Sequence, residues 1–512
     1  MYMKNILISF LMSVVLFNVS YSIDNGLELQ GSKSYPIPKE VVASVGPINI
    51  SAEEFYYSYR YGPAFAKRES NSKSKYLKYM IYEKLLALEG YKKRIDKRKD
   101  IASIIKEFGN DIATGEMFKD DVLKKVKISQ AEIDTLIVQK QLQLNIKWLY
   151  AKDKNKLNVI LKDMKAGISF DSLYSLQFKD SIYTNDRSLK TNRYQLGLKN
   201  PAFASIIDTL HIGSPSKPIK ETDGWYIIKL DNVFKNVFMD KTEFTKLRYE
   251  SIEALKKKKM DKLSDRYVNK ILLRNKPVIK RNSFNLLRSY IAMKSLPKKK
   301  YDDWRLSDKL KAALNSLKVT KKNISKTVLV TLRGGSVDLG KFLDWFWNRS
   351  QYIKLDDSNL RSFSVTLENL IWRMVRDKLL SERAYARKYN RTKEYIKQVK
   401  WWKDKIVYSA ERNAIEKSVL LQDKEVTINK KDTAKIKLNR EKQNIKITRM
   451  FFLKLNKLKS KYRVKINKDV LEKIHVSDEQ DPKAIEFYIV KKDGLIPRPA
   501  YPSIDPWWAN WE

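Results

Sequence analysis

"VVASVGPINISAEEF" (Val41 to Phe55) and "VLVTLRGGSVDLGKF" (Val328 to Phe342) lie 287 positions apart and align without a gap. Val45 pairs with Leu332, Ile50 with Val337, Ser51 with Asp338 and Phe55 with Phe342. The first stretch alternates apolar residues, turns at Gly46-Pro47 and resumes at Ile48 and Ile50, which predicts a strand pair. Ser51 and Glu54 then form an S-x-x-E capping box that starts a helix, and Asp338 is an equally good cap in the second stretch. A further match follows in the same order: "EKLLALEGYKKR" (Glu83 to Arg94) and "DKLLSERAYARK" (Asp377 to Lys388) pair Leu85 with Leu379, Leu86 with Leu380 and Tyr91 with Tyr385. The offset grows from 287 to 294, an insertion of seven between strand pair and helix. Two matches in order imply a duplicated module.

Within the first copy, Tyr76 to Arg94 places Leu77, Met80, Ile81, Lys84, Leu85 and Leu88 near one face, with Lys84 the only break. That spacing predicts an amphipathic helix with a basic end. Ser129 and Glu132 form another capping box, opening a helix toward Asn145. Between the copies, Asn145 to Phe234 mixes strand and helix patterns, and Asp240 to about Asn275 is a basic helical stretch whose "EALKKKKMDKL" reads as a solvated face. "NIKITRMFFLKL" (Asn444 to Leu455) reads as a strand. At the end, Pro497, Pro499, Pro502 and Pro506 precede Trp507, Trp508 and Trp511. Such a segment favours extended structure with aromatic anchors, for a partner or for docking on its own body.

Composition narrows the chemistry. The chain has no cysteine and two histidines, His211 and His475, so the usual zinc, thiol and Ser-His-Asp sites cannot be assembled, and no P-loop is present. No metal and no cofactor are expected. Lys4, the apolar run Ile6 to Val19 and the small-x-small Ser20-Tyr21-Ser22 read as a cleaved secretory signal over residues 1–22. The formal net charge is +44, spread along the whole length. For an exported chain without a nucleic-acid motif, that charge points away from nucleic acid and toward an anionic membrane surface, surface polymers or acidic clients. A plain solvated surface explains it equally well.

Val41 to Arg94 resembles the N-terminal chaperone module of SurA- and PpiC-type periplasmic foldases. Ile146 to Leu230 resembles the parvulin domain that follows it: "IKWLYA" stands for the first strand, "KAGISFDSL" for the end of the first helix, and "PAFASIIDTLHIGSPSKPIKETDGWYIIKL" for helix, turn and final strands. The resemblance implies an α+β fold in which helical SurA-like chaperone modules flank one small parvulin-like α/β domain, an antiparallel sheet with helices. It divides the chain into a signal (1–22), a linker (23–40), a helical module (41–144), the parvulin-like domain (145–234), a basic helical segment (235–326), a second helical module (327–425), a strand-containing region (426–487) and a Pro/Trp-rich tail (488–512).

The resemblance also names site residues. Parvulin sites pair a histidine on the first strand with one on the last, flanking a Cys or Asp and an apolar proline pocket. Here those positions are Trp148 and Tyr226, the Cys/Asp position is Asp180, Phe203 keeps the pocket aromatic, and Lys199 replaces a methionine of its lining. Asp180 and Tyr226 are thus the candidate catalytic residues, and Trp148, Phe203 and Lys199 the candidate substrate-binding ones. With both histidines replaced, the expected function is a periplasmic chaperone for unfolded or nascent exported proteins, outer-membrane barrels among them, with little or no isomerase activity. An active peptidyl-prolyl cis-trans isomerase and an envelope assembly scaffold are the alternatives.

Overall fold

The computed structural model describes residues 36–68, 70–179, 187–235, 240–320, 323–350, 353–422, 433–476, 485–486, 498–499 and 501–511. The expected signal and Asp180 lie outside them. The fold is α+β, mostly helical with small antiparallel sheets. It divides into Val126–Lys259, a sheet unit, and a helical unit made of the two flanking stretches, Met1–Lys125 and Met260–Glu512. No helix of the described residues is long and apolar enough to cross a membrane.

The first flank runs through β1 (Val41–Val45), β2 (Ile48–Ser51), α1 (Ala52–Arg60), α2 (Ser72–Lys92) and α3 (Lys99–Asp121). The sheet unit follows with α4 (Gln130–Gln141), β3 (Leu142–Ala151), α5 (Lys154–Lys165), α6 (Phe170–Lys179), β4 (Ser188–Asn192), α7 (Arg193–Lys199), α8 (Pro201–Ile207), β5 (Ile219–Lys220) and β6 (Trp225–Lys235). The unit boundary falls within α9 (Lys241–Asn275). Beyond it come β7 (Val278–Ile279), α10 (Arg281–Ser295), α11 (Lys298–Asp303), α12 (Leu306–Ser316), β8 (Val328–Leu332), β9 (Gly335–Asp338), α13 (Leu339–Asn348) and α14 (Leu360–Ala386). Then come α15 (Lys393–Gln422), α16 (Thr433–Lys461), β10 (Val464–Ile466), α17 (Lys468–Lys473), a short strand pair of Ile485–Glu486 with Arg498–Pro499, and a 3₁₀ helix over Pro506–Trp511, where the sequence favoured extended structure.

The likeness of the two stretches extends to their strand register. β1 and β2 pair Val41 with Ser51, Ala43 with Ile50 and Val45 with Ile48; β8 and β9 pair Val328 with Asp338, Val330 with Val337 and Leu332 with Gly335. Even the irregularity after the first pair recurs. Ser51 caps α1 by accepting the Glu54 N–H, and Asp338 caps α13 by accepting that of Lys341. Left-handed residues, Arg94 (φ 56°) and Lys388 (φ 64°), follow α2 and α14 at the 294 offset.

A third strand completes each pair. β10 joins β1 through Ile466 opposite Ala43, and β7 joins β8 through Ile279 opposite Val330. Each follows a long helix, and the two helices bury matching positions: Met260, Ser264, Val268 and Ile271 of α9, and Ile447, Phe451, Leu455 and Leu458 of α16. Asn444 to Leu455, read as a strand, is therefore helix. Its local alternation around Ile445 and Ile447 is outweighed by burial at intervals of four, four and three, the spacing of a helix face. In the first copy the elements α4 to β6 lie between α3 and α9. In the second, residues 423–432 alone separate α15 from α16.

The two copies exchange helices. One core joins β1, β2, α1 and α2 to Tyr408, Ile415 and Val419 of α15, to the buried face of α16 and to Val470 and Leu471 of α17. The other joins β8, β9, α13 and α14 to Ala113 and Met117 of α3 and to Val268 and Ile271 of α9. Each core thus takes its later helices from the opposite copy, and a small cluster of Ile101, Ile112, Trp402 and Ile406 seals α3 against α15. Burying side chains such as Val42, Ile50, Phe55 and Leu85, all with no exposed surface, stabilises the first core by about 1.5–3 kcal/mol each. The expected amphipathic face of α2 widens into a helix buried almost all round, because strands, α15 and α16 pack on different sides.

The sheet unit is an antiparallel sheet in the order β4-β3-β6-β5. Alternation along β3 and β6 sends residues to opposite faces. Leu144, Ile146, Ile228 and Leu230 meet Leu196, Phe203, Ala204 and Ile207 of α7 and α8 on one face. Leu149, Ala151 and Ile227 meet Leu157, Ile160, Phe170 and Leu173 of α5 and α6 on the other. The Ser129–Glu132 box closes in both directions at the start of α4.

Candidate functional site

β3 and β6 carry two of the aromatic residues singled out in the sequence, and α8 carries the third. Asn200 accepts the N–H of Phe203 at 3.0 Å while Pro201 occupies the first turn, so the cap sets where α8 starts and where Phe203 falls. The buried Phe203 ring makes edge contacts with both strand residues, its centroid 6.5 Å from that of Trp148 and 5.3 Å from that of Tyr226. Trp148, Phe203 and Tyr226 are therefore brought together. Lys199 is exposed at the end of α7, His211 is exposed in the turn after α8, and Asp180 lies outside the described residues.

Tyr226 has its polar end engaged. Its hydroxyl donates to Asp223 Oδ2 at 2.7 Å, and burial, then that carboxylate, push it well above the usual tyrosine range. Tyr150 stands directly opposite Tyr226 in the ladder, with ring centroids 5.3 Å apart, and donates its hydroxyl to the Asp223 carbonyl at 2.8 Å. Gly224 permits this packing: a Cβ there would lie 2.6 Å from the Tyr150 ring and 2.7 Å from the Ala151 carbonyl oxygen. Gln177 in turn grips the backbone of Tyr150, accepting its N–H and donating to its carbonyl, both at 3.2 Å. Arg187 donates to the same Gln177 amide oxygen and sets its guanidinium 5.5 Å from the Tyr150 ring.

Gly224 falls at a parvulin position in the sequence, whereas Tyr150, Gln177 and Asp223 did not emerge from it. The readable signals were Tyr150 two residues past Trp148, hence on its face of the strand, and Asp223 in the turn before Tyr226. Chemically, the cluster is an aromatic surface bounded by hydroxyls that already have acceptors. It contains no imidazole, Trp148 can only donate, and the Tyr226 donor is engaged. Among the described residues, no three His, Asp or Glu side chains are gathered so as to hold a metal ion.

No family model matches the chain. Individual known proteins do. The similarity is to PrsA foldases. Foldase protein PrsA 2 of Bacillus cereus is 23% identical over 182 residues, which cover 32% of this chain and 63% of PrsA 2. The match thus spans less than two thirds of that relative. Among solved structures, the peptidylprolyl isomerase PrsA from Bacillus cereus is 15% identical, covering 43% of this chain and 86% of that one, with a TM-score of 0.21. PrsA from Bacillus subtilis is 19% identical over 44% of this chain and 91% of its own, with a TM-score of 0.16. PrsA superpositions at such scores carry no argument about this molecule's arrangement.

Proposed function

We propose that the chain is an exported chaperone of the foldase type, in which the sheet unit binds unfolded polypeptide with little or no prolyl isomerisation. The observation that carries this reading is the aromatic cluster. Phe203 supplies an apolar contact for a proline or neighbouring side chain, flanked by Trp148 and Tyr226 where a parvulin would hold histidines. Isomerisation must cross about 18–20 kcal/mol by stabilising a twisted amide, and a phenol tied to Asp223 is poorly placed to retune for that purpose. Similarity to PrsA foldases supports the class of function. The clients would be unfolded or nascent exported proteins, outer-membrane barrels among them, with basic charge speeding encounter with acidic segments or an anionic membrane surface.

The deciding experiment is NMR exchange on short Xaa-Pro peptides at high protein concentration, run beside suppression of aggregation of an unfolded barrel protein. The expected result is peptide shift changes without rate enhancement, weakened by Phe203→Ala, and salt-dependent suppression of aggregation. Isomerisation above background that disappears in Phe203→Ala would make the unit a working isomerase. Failure to suppress aggregation at several-fold excess would sink the chaperone reading.

A further inference from the structure

The two copies of the duplicated module bury an indole on the same carboxylate position, but they obtain it from different places. In the second copy, Asp377 of α14 accepts the indole N–H of Trp345 at 3.2 Å, and Trp345 belongs to the adjoining helix α13. Glu83 of α2 is the equivalent of Asp377, and the equivalent of Trp345 is Ser58, whose side chain cannot fill that space. The first copy takes its indole from the end of the chain. Trp508 donates to Glu83 Oε1 at 3.0 Å, stacks on Tyr79 at 5.2 Å and is 1% exposed.

The rest of the terminal segment is held as a ligand would be. The Ile504 N–H reaches the Tyr76 hydroxyl at 3.2 Å and the Asp505 N–H reaches Glu83 Oε1 at 2.7 Å, so side chains receive backbone groups of the segment. The Asp505 carboxylate lies 2.5 Å from the Arg412 guanidinium and 3.1 Å from the Tyr408 hydroxyl. Tyr501 stacks on Tyr57 at 4.1 Å. Arg412 and Tyr408 correspond to Phe118 and Thr114 in the other copy, which offer neither a guanidinium nor a phenol to a carboxylate. The repeated fold therefore does not require the charged part of the slot.

We propose that the slot formed by Glu83, Tyr79, Arg412 and Tyr57 is a peptide-binding site for a client segment bearing an aromatic residue, an Asp four positions later and, on a helical turn that follows, a Trp three beyond that. The chain's own Tyr501–Trp508 is its resident competitor. The inference rests on the chaperone reading and names the chemistry of one of its clients. Tyr501 to Trp508 is tied to the fold through side chains of α1, α2 and α15, whereas Trp345 is built into α13 itself. Release would expose an indole slot with a carboxylate at one end and a guanidinium at the other.

Two measurements on the full-length chain test this. In the first, the exchange rate of the Trp508 indole N–H is compared with that of Trp345, the internal reference for a similar bond. Opening of the terminus predicts exchange at least about tenfold faster at Trp508, and equal rates overturn the proposal. In the second, a labelled synthetic peptide of residues 498–512 is titrated into the wild type, into Asp505→Asn and into Glu83→Gln. Weakening the resident segment in Asp505→Asn is expected to raise peptide affinity about tenfold, by relieving competition in cis. Glu83→Gln, which weakens the resident segment and the added peptide alike, is expected to leave it near the wild-type value. Unchanged affinity across the three, or binding that appears only with doubling of the mass, overturns the proposal; the latter would indicate termini exchanged between two copies. If the peptide fails to bind while the wild type still suppresses aggregation, the slot is a fixed part of the core and the chaperone reading stands.

Discussion

Lys84 lies in the middle of α2 with 6% of its surface exposed, and its ammonium meets Glu54 at 2.5 Å and Asp404 at 2.8 Å. Burial pulls its pKa down, but the two carboxylates outweigh burial and hold it above the ordinary lysine range. In the sequence it was the single break in an apolar face. Nothing local announces that Asp404, 320 residues away, comes to meet it. Lys84→Met should cost about 3–5 kcal/mol in denaturant unfolding, since it leaves buried carboxylates without their cation. Lys378 occupies the same position in the second copy, where it is more exposed and pairs with the exposed Glu382 one turn on. Lys378→Met should change stability by no more than about 0.5 kcal/mol. Equal losses in the two variants would show that the buried triad is not what Lys84 contributes. The aromatic residues of the sheet unit tell a similar story: Trp148, Phe203 and Tyr226 could be named from the chain, whereas Asp223 could not, because a turn residue gains its partner only when the strand register is set.

At the scale of elements, local chemistry was legible wherever it acts within one turn of backbone. The Ser51 cap, the Gly46-Pro47 turn and the reciprocal Ser129–Glu132 box all involve partners no more than three residues apart. Asn444 to Leu455 failed because four alternating residues weigh heavily in a short window, while the helical face of α16 declares itself only across Ile447 to Leu458. The Ser129–Glu132 box also yields a pH prediction. Lys259 at 2.6 Å and the Ser129 N–H and hydroxyl lower the Glu132 carboxyl from its ordinary 4.5 to about 2. A carboxylate with a depressed pKa in the folded state stabilises fully above its unfolded value, and that contribution fades as pH falls from 4.5 toward 2. Wild type should therefore melt higher than Glu132→Ala at neutral pH, with the gap narrowing through that window. A gap that stays constant down to pH 2 would assign the effect to helix propensity instead.

For the whole molecule, the exchange of helices makes the two cores of the helical unit one thermodynamic body. Leu85 lies in one core and Leu379, its counterpart, in the other, yet α3 and α15 tie them together. Leu85→Ala and Leu379→Ala should each cost about 2–5 kcal/mol. Each should also speed amide exchange in both α3 and α15, rather than in the helices of its own core alone. Independent loosening of one core would show that the exchange of helices does not couple them. The likeness of the two stretches was readable because its signatures are short and ordered, but the exchange was not, since a sequence match says which segments are alike and not which of them pack together. One asymmetry of that exchange matters for anyone reshaping the chain. The join between α3 and α9 hosts a folded guest, while residues 423–432 are all that separates α15 from α16 in the chain, so a chain cut back from α4 to β6 would still carry every element that builds the two cores.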